Sequence, residues 1–147
     1  VNKIKHIIIL LMAFIAITSC NRDDDFDELF YGKTWYIVGA KINGTVLKSE
    51  VKQFYQGGIN TYYINFSTGT LRGALSAGEV FSGTWSADPV SRDMVISLKE
   101  SPSSSSNFDK NILHIISGCK RYKGDCNVMR LIQDDNNYID MNYEKPE

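Results

Sequence analysis

Three cysteines and few other reactive side chains bound the chemistry open to this chain. Cys119 and Cys126 enclose Lys120-Arg121-Tyr122-Lys123-Gly124-Asp125. In an oxidising compartment such a close, even pair is most simply a disulfide. If the segment is a hairpin, both thiols lie near its mouth, and a register that brings them opposite allows the bridge. Zinc is the rival, but two cysteines with only His114 nearby fall short of four ligands. The Cys119–Cys126 disulfide is therefore the expectation. His114 is the one histidine beyond His6. A serine hydrolase would have to use it, and no Gly-x-Ser-x-Gly turn exists to present a nucleophile. The sequence also lacks a glycine-rich phosphate loop, a His-x-x-x-His and a Cys-x-x-Cys. Asp134-Asp135-Asn136-Asn137 offers hard oxygen donors, without the ligand spacing and glycine of a calcium loop, and such clusters mostly make turns. Asp93, Glu100 and Asp109 fall on loops and element ends, so no carboxylate pair stands out for acid–base work. The inventory points to a protein that is not an enzyme and needs neither metal nor cofactor.

Cys20 is a different matter. It closes a charge-free run, Ile7 to Ile17, that follows Lys3 and Lys5, the basic and apolar regions of an export signal. The run is shorter than the roughly 20 apolar residues of a transmembrane helix. Its end, Ile17-Thr18-Ser19-Cys20, resembles the lipobox of bacterial lipoproteins. That resemblance implies that Cys20 carries a thioether-linked diacylglycerol and becomes the acylated first residue once 1–19 is removed. Each buried methylene contributes about 0.8 kcal/mol, so two or three chains anchor stably where one is marginal. Asn21-Arg22-Asp23-Asp24-Asp25 is similar to the acidic export tag of surface lipoproteins in one Gram-negative group, which implies an outer-membrane lipoprotein facing the exterior. The plainer reading of Asp23, Asp24 and Asp25 is a solvated tether, with the protein facing the periplasm. The expected division is a signal peptide over 1–19, a lipidated acidic tether over 20–31 and a single domain over 32–147.

Removing residues 1–19 leaves 128 of 147 residues, enough for one domain with a core. From Leu29 onward 13 basic residues face 12 acidic ones. That near-neutrality argues against nucleic acid, whose binders need a basic stripe to release counterions.

The elements that must position these residues read as mainly β (α+β): an antiparallel meander forming a small barrel or curved sheet, with one or two short helices. Gly32 to Ile42 is rich in β-branched and aromatic residues and predicts a first strand, closed by the Asn43-Gly44 turn. Leu47, Val51, Phe54 and Tyr55 recur at helical spacing ahead of Gly57-Gly58. Strands are predicted over 61–66, 70–75, 79–86 and 93–99, with turns between them at regular spacing. Ser101-Pro102 and the serines after it form a loop. Phe108, Ile112, Ile115, Ile116 and Cys119 fit a helix that Asn107 caps and Gly118 stops, although the β-branched content leaves a strand open. A last hairpin joins 128–132 to 138–143, with Ile139, Met141 and Tyr143 on its buried face.

Gly32-x-x-Trp35, Phe66-x-x-Gly69, Phe81-Ser82-Gly83-Thr84-Trp85 and the closing hairpin resemble META (HslJ-like) lipoprotein domains. They equally resemble lipocalin-like lipoproteins, which share a Gly-x-Trp opening and a Gly-Thr-Trp centre. Arg72-Gly73-Ala74 stands near where the META type has Gly-Cys-Asn. Neither resemblance implies catalytic residues. Trp35, Tyr62, Phe66, Phe81 and Trp85 alternate along their strands. Either they fill the interior, or they line a pocket for a small apolar molecule or glycan, as barrels of about eight strands can. Two roles follow: a structural or protein-interaction domain on a lipid anchor, or a binding module.

Overall fold

The computed structural model describes residues 26–47, 62–78, 80–103 and 106–144. The export signal, Cys20, Asp23–Asp25 and the expected helix beyond Leu47 lie outside the described residues.

The described chain is one nine-stranded antiparallel sheet with two helices. The strands are β1 (Lys33–Ile42), β2 (Thr45–Val46), β3 (Tyr63–Ser67), β4 (Thr70–Ala74), β5 (Val80–Ala87), β6 (Met94–Glu100), β7 (Arg121–Gly124), β8 (Val128–Asp134) and β9 (Asn137–Asn142); the helices are α1 (Phe26–Phe30) and α2 (Asn107–Ser117). Strand order is β6-β5-β4-β3-β1-β9-β8-β7, with the short β2 paired to the end of β1. The alternation read from the sequence sets which side faces in: Tyr62, Ile64 and Phe66, then Phe81 and Trp85, then Met94 and Ile96, and Ile139 with Met141 are all buried. Tyr143 departs from that expectation, being 45% exposed.

The sheet curls until its outer strands meet at one end. Asp93 and Arg121 form an isolated antiparallel bridge. The Met94 amide donates to the Lys120 carbonyl at 2.9 Å and the Tyr122 amide to the Arg92 carbonyl at 3.1 Å. The curl thus pairs the two edges over a few residues, where an open edge would invite other chains.

The helices sit at opposite ends of this curl. Residues 107–117 are helical rather than extended, and the N-cap is Ser106, whose hydroxyl accepts from the Asp109 amide. Gly118 ends the helix, its amide donating to the His114 carbonyl at 2.9 Å. Ile112, Leu113, Ile115 and Ile116 face the core, at the spacing of one helical face. The other helix was expected to be tether. Instead α1 buries Leu29 and Phe30, so packed residues lie ahead of Gly32.

The cysteine expectation is also corrected. The hairpin is β7–β8, and Cys126 lies at its turn while Cys119 precedes β7. The whole of β7 therefore separates them. At a strand's rise that is on the order of 20 Å, against a limit of about 7 Å between bridged α-carbons. Cys119 is a buried free thiol whose Sγ lies 3.3 Å from the Arg121 carbonyl.

Candidate functional site

The five aromatics singled out by their alternation all point inward. Trp35, Tyr62, Phe66 and Phe81 are fully buried and Trp85 is 6% exposed. They do not gather around one space. Phe66 and Trp85 meet edge-on with ring centroids 5.2 Å apart, and Phe30 of α1 completes a trio, 5.2 Å from Phe66 and 4.8 Å from Trp85. Tyr122 joins from β7 at 5.0 Å from Phe30. These separations are those of packed rings. Trp35 lies beside α1, its indole N–H donating to the Leu29 carbonyl at 2.9 Å. Phe81 lies on Gly73, where a β-carbon would fall 2.3 Å from its ring. Tyr62 stands at the far end, 5.8 Å from Phe108 of α2. Phe30 is the member the sequence reading passed over, and Tyr122, which reads from sequence as an exposed tyrosine of a binding face, is buried. Phe30 sits in an acidic stretch and Tyr122 between cysteines, so neither carried a strand pattern of its own.

The far end holds a buried carboxylate. Asp109 is fully buried and accepts from the Tyr62 hydroxyl and the Ser76 hydroxyl. Tyr62 takes a positive φ of 50°, uncommon for a bulky residue, and its carbonyl accepts from the Ile37 amide at 2.7 Å. One carboxylate thus draws together α2, the entry to β3 and the 3-10 turn at Ser76–Gly78. Catalysis by a serine would also need a base beside Ser76. His114 instead faces the exposed side of α2, 3.3 Å from the Gln133 amide. Asp134-Asp135-Asn136-Asn137 is a turn, in which the Asp134 carboxylate accepts from the Asn136 amide at 2.8 Å and the Asn137 side chain at 3.0 Å. Those bonds hold its pKa below the usual carboxylate value. Among the described residues no group of three or more potential ligands could hold a metal.

The polar chemistry is on the outer wall. The β1 ladder to β9 slips between Ile37 and Gly39, a bulge that adds Val38 to the wall. Val38, Lys123, Val128, Arg130, Asp140 and Asn142 line a hollow of about 470 Å³. A second, of about 530 Å³, is lined by Ser91, Arg92, Arg121, Lys123, Arg130 and Ile132. Arg130 grips Asp140 through Nε at 2.6 Å and Nη2 at 3.1 Å, and its guanidinium lies 3.7 Å from the Tyr138 ring centroid. The hydrogen bond to Asp140 raises the Arg130 pKa further. Bidentate pairing over an aromatic face fixes the guanidinium's position. The sequence placed Arg130 and Asp140 on the two strands of the last hairpin but not opposite each other, since a salt bridge across a sheet is visible only once the register is known.

A family model described as a domain of unknown function, DUF4847, matches residues 21–145. Among curated proteins nothing matches. A crystal structure of a DUF4847 family protein from Bacteroides vulgatus is similar at 20% identity and a TM-score of 0.64, covering 82% of this chain and 99% of that one. A lipocalin-like protein from Bacteroides uniformis is similar at 16% identity and a TM-score of 0.52, covering 80% of this chain and 99% of that one. Of the two resemblances read from the sequence, the lipocalin-like one thus has a solved counterpart.

Proposed function

Since the chain belongs to the DUF4847 family, we propose that it is a non-catalytic binding module, held at the cell envelope by a lipid on Cys20, that meets its ligand or partner on its outer wall. One contrast carries this reading. The interior aromatics pack on one another, whereas the wall formed by β1, β9, β8 and β7 carries hollows lined by fixed charges and amides. Binding sites are concave, with a few precisely placed polar groups. The anchor half of the proposal rests on the lipobox alone, and surface display on Asp23, Asp24 and Asp25.

The lipocalin-like fold keeps one rival in view, an aromatic-lined interior pocket for an apolar molecule. The neutral dye N-phenyl-1-naphthylamine separates the two. Packed rings leave it in water, so its emission should not rise on adding native protein. A saturable rise, lost in Phe66→Trp, would move the site inside. For the anchor, mass spectrometry of the native protein should find a diacylated Cys20 as first residue, and an unmodified Cys20 still joined to Ser19 would remove it. Surface display is tested on intact cells: added protease should degrade the protein, and Asp23, Asp24 and Asp25 changed together to Ala should protect it.

A further inference from the structure

We infer that the outer wall binds an extended acidic saccharide, one whose sugar units carry carboxylate or sulfate groups. The two hollows share Lys123 and Arg130, so they adjoin across those side chains, and a chain laid over both would run as in a trough from the β6–β7 seam to the bulge in β1. Its two halves differ in chemistry. The seam half carries Arg92, Arg121 and Lys123 beside Ser91, whose hydroxyl donates to the Asp93 carboxylate at 2.9 Å. The other half carries Asn142, Asp140 and the apolar Val38 and Val128. Cations at one end and amide, carboxylate and aliphatic groups along the rest suit a chain that combines anionic substituents with hydroxyls.

Among the described residues the register brings two cations onto one carboxylate at Arg130. Lys123 stands directly opposite Arg130, and Arg130 stands opposite Asp140. Lys123 and Arg130 therefore share one carboxylate across three strands, while Arg121, two residues before Lys123 on the same face, stands opposite Asp93. Like charges placed opposite on a sheet destabilise it, and an arriving anion relieves that repulsion. Arg130 is positioned by Asp140 and Tyr138, so it presents its remaining edge without further ordering. Arg92 is held near by its Nη1, 3.3 Å from the Gly124 carbonyl. From Leu29 onward the chain is almost neutral. The concentration of charge in one trough is thus local, which favours a discrete anionic chain over the broad basic surface a nucleic acid demands.

The test uses the full chain in detergent, with polygalacturonate and heparin oligosaccharides as probes in calorimetric titrations at low salt. Neutral dextran, pyrophosphate, single-stranded DNA and phosphatidylglycerol vesicles serve as comparisons. At least one acidic oligosaccharide should bind, with affinity falling as salt rises. The double variant Arg121→Gln/Lys123→Gln should weaken it at least tenfold while leaving the melting temperature unchanged or higher. Val38→Trp, which fills the other half, should weaken an octasaccharide more than a disaccharide. The inference is overturned if neither polysaccharide binds, if the double variant binds as well as the native chain, or if pyrophosphate, DNA or vesicles bind as tightly as the saccharides. It rests on the outer-wall reading, but the two fail separately: dye uptake reports on the interior, and the charge variants report on the trough.

Discussion

Asp109 shows at the level of one residue how this fold uses a buried acid side chain. In the sequence it is one acid among several, sitting three residues after a serine. In the structure its carboxylate accepts from Tyr62 and Ser76 and ties α2 across the end of the curl. Losing a partner strands the rest of the network, at about 1–3 kcal/mol for each buried group left unsatisfied. Tyr62→Phe should therefore lower stability by about 1–2 kcal/mol in urea melts, and Asp109→Ala by more, because it frees two hydroxyls and opens a void. An Asp109→Ala protein as stable as the native one would refute this role. Cys119 supports a pH prediction. Burial pushes its thiol up to about 11 from 9.0. Below pH 9 both folded and unfolded thiols are protonated and no effect is expected. Between about 9 and 11 only the unfolded chain loses the proton, so stability should fall as pH rises, by up to about 2–3 kcal/mol for a shift of that size. Cys119→Ala should flatten that part of the profile. The same burial should leave Cys119 unreactive toward iodoacetamide at pH 8 until the protein unfolds.

The elements were legible wherever one face is buried and the other wet. The strands from β3 to β6 and the last hairpin stand within a residue or two of their predicted positions because alternation and turn residues agree there. The segment at 107–117 was ambiguous because Ile115 and Ile116 suit a strand locally. Ser106, Asp109 and Gly118 decide it through their capping bonds. Three elements escaped the sequence reading, the two-residue β2 among them. β7 has four residues, of which only Tyr122 is buried, too few for a period to show. α1 is five residues long in an acidic stretch, and isolated helices of that length have no stability of their own. It exists because Phe30 reaches Phe66, Trp85 and Tyr122. Phe30→Ala should therefore cost about 3–5 kcal/mol, as for other buried aromatics. A chain begun at Gly32 should lose its near-ultraviolet dichroism and fixed tertiary packing. Should that shortened chain melt like the full one, α1 would be an appendage after all.

For the whole molecule, the sequence conveyed an antiparallel meander and a single core, but not how the sheet ends. Closure depends on Asp93 meeting Arg121, residues 28 positions apart that no local pattern links. Among the described residues the pairing stops there: beyond Met94, β6 has β5 as its strand partner and also contacts α2. Amides of β6 and β7 should accordingly exchange with deuterium before those of β1, which is paired on both sides with β3 and β9. Equal protection in β6 and β1 would mean the curl is sealed along its length. The placement of α1 has a mechanical side as well. The first described residue of α1 is Phe26, whose ring rests 6.0 Å from Trp85 and 6.5 Å from Tyr122. Tension applied from the amino-terminal side would therefore first pull on this ring and then on Phe30, extracting them one after the other. Among the described residues the strands lie behind these two rings, so a chain pulled there would give way at its stopper before its wall.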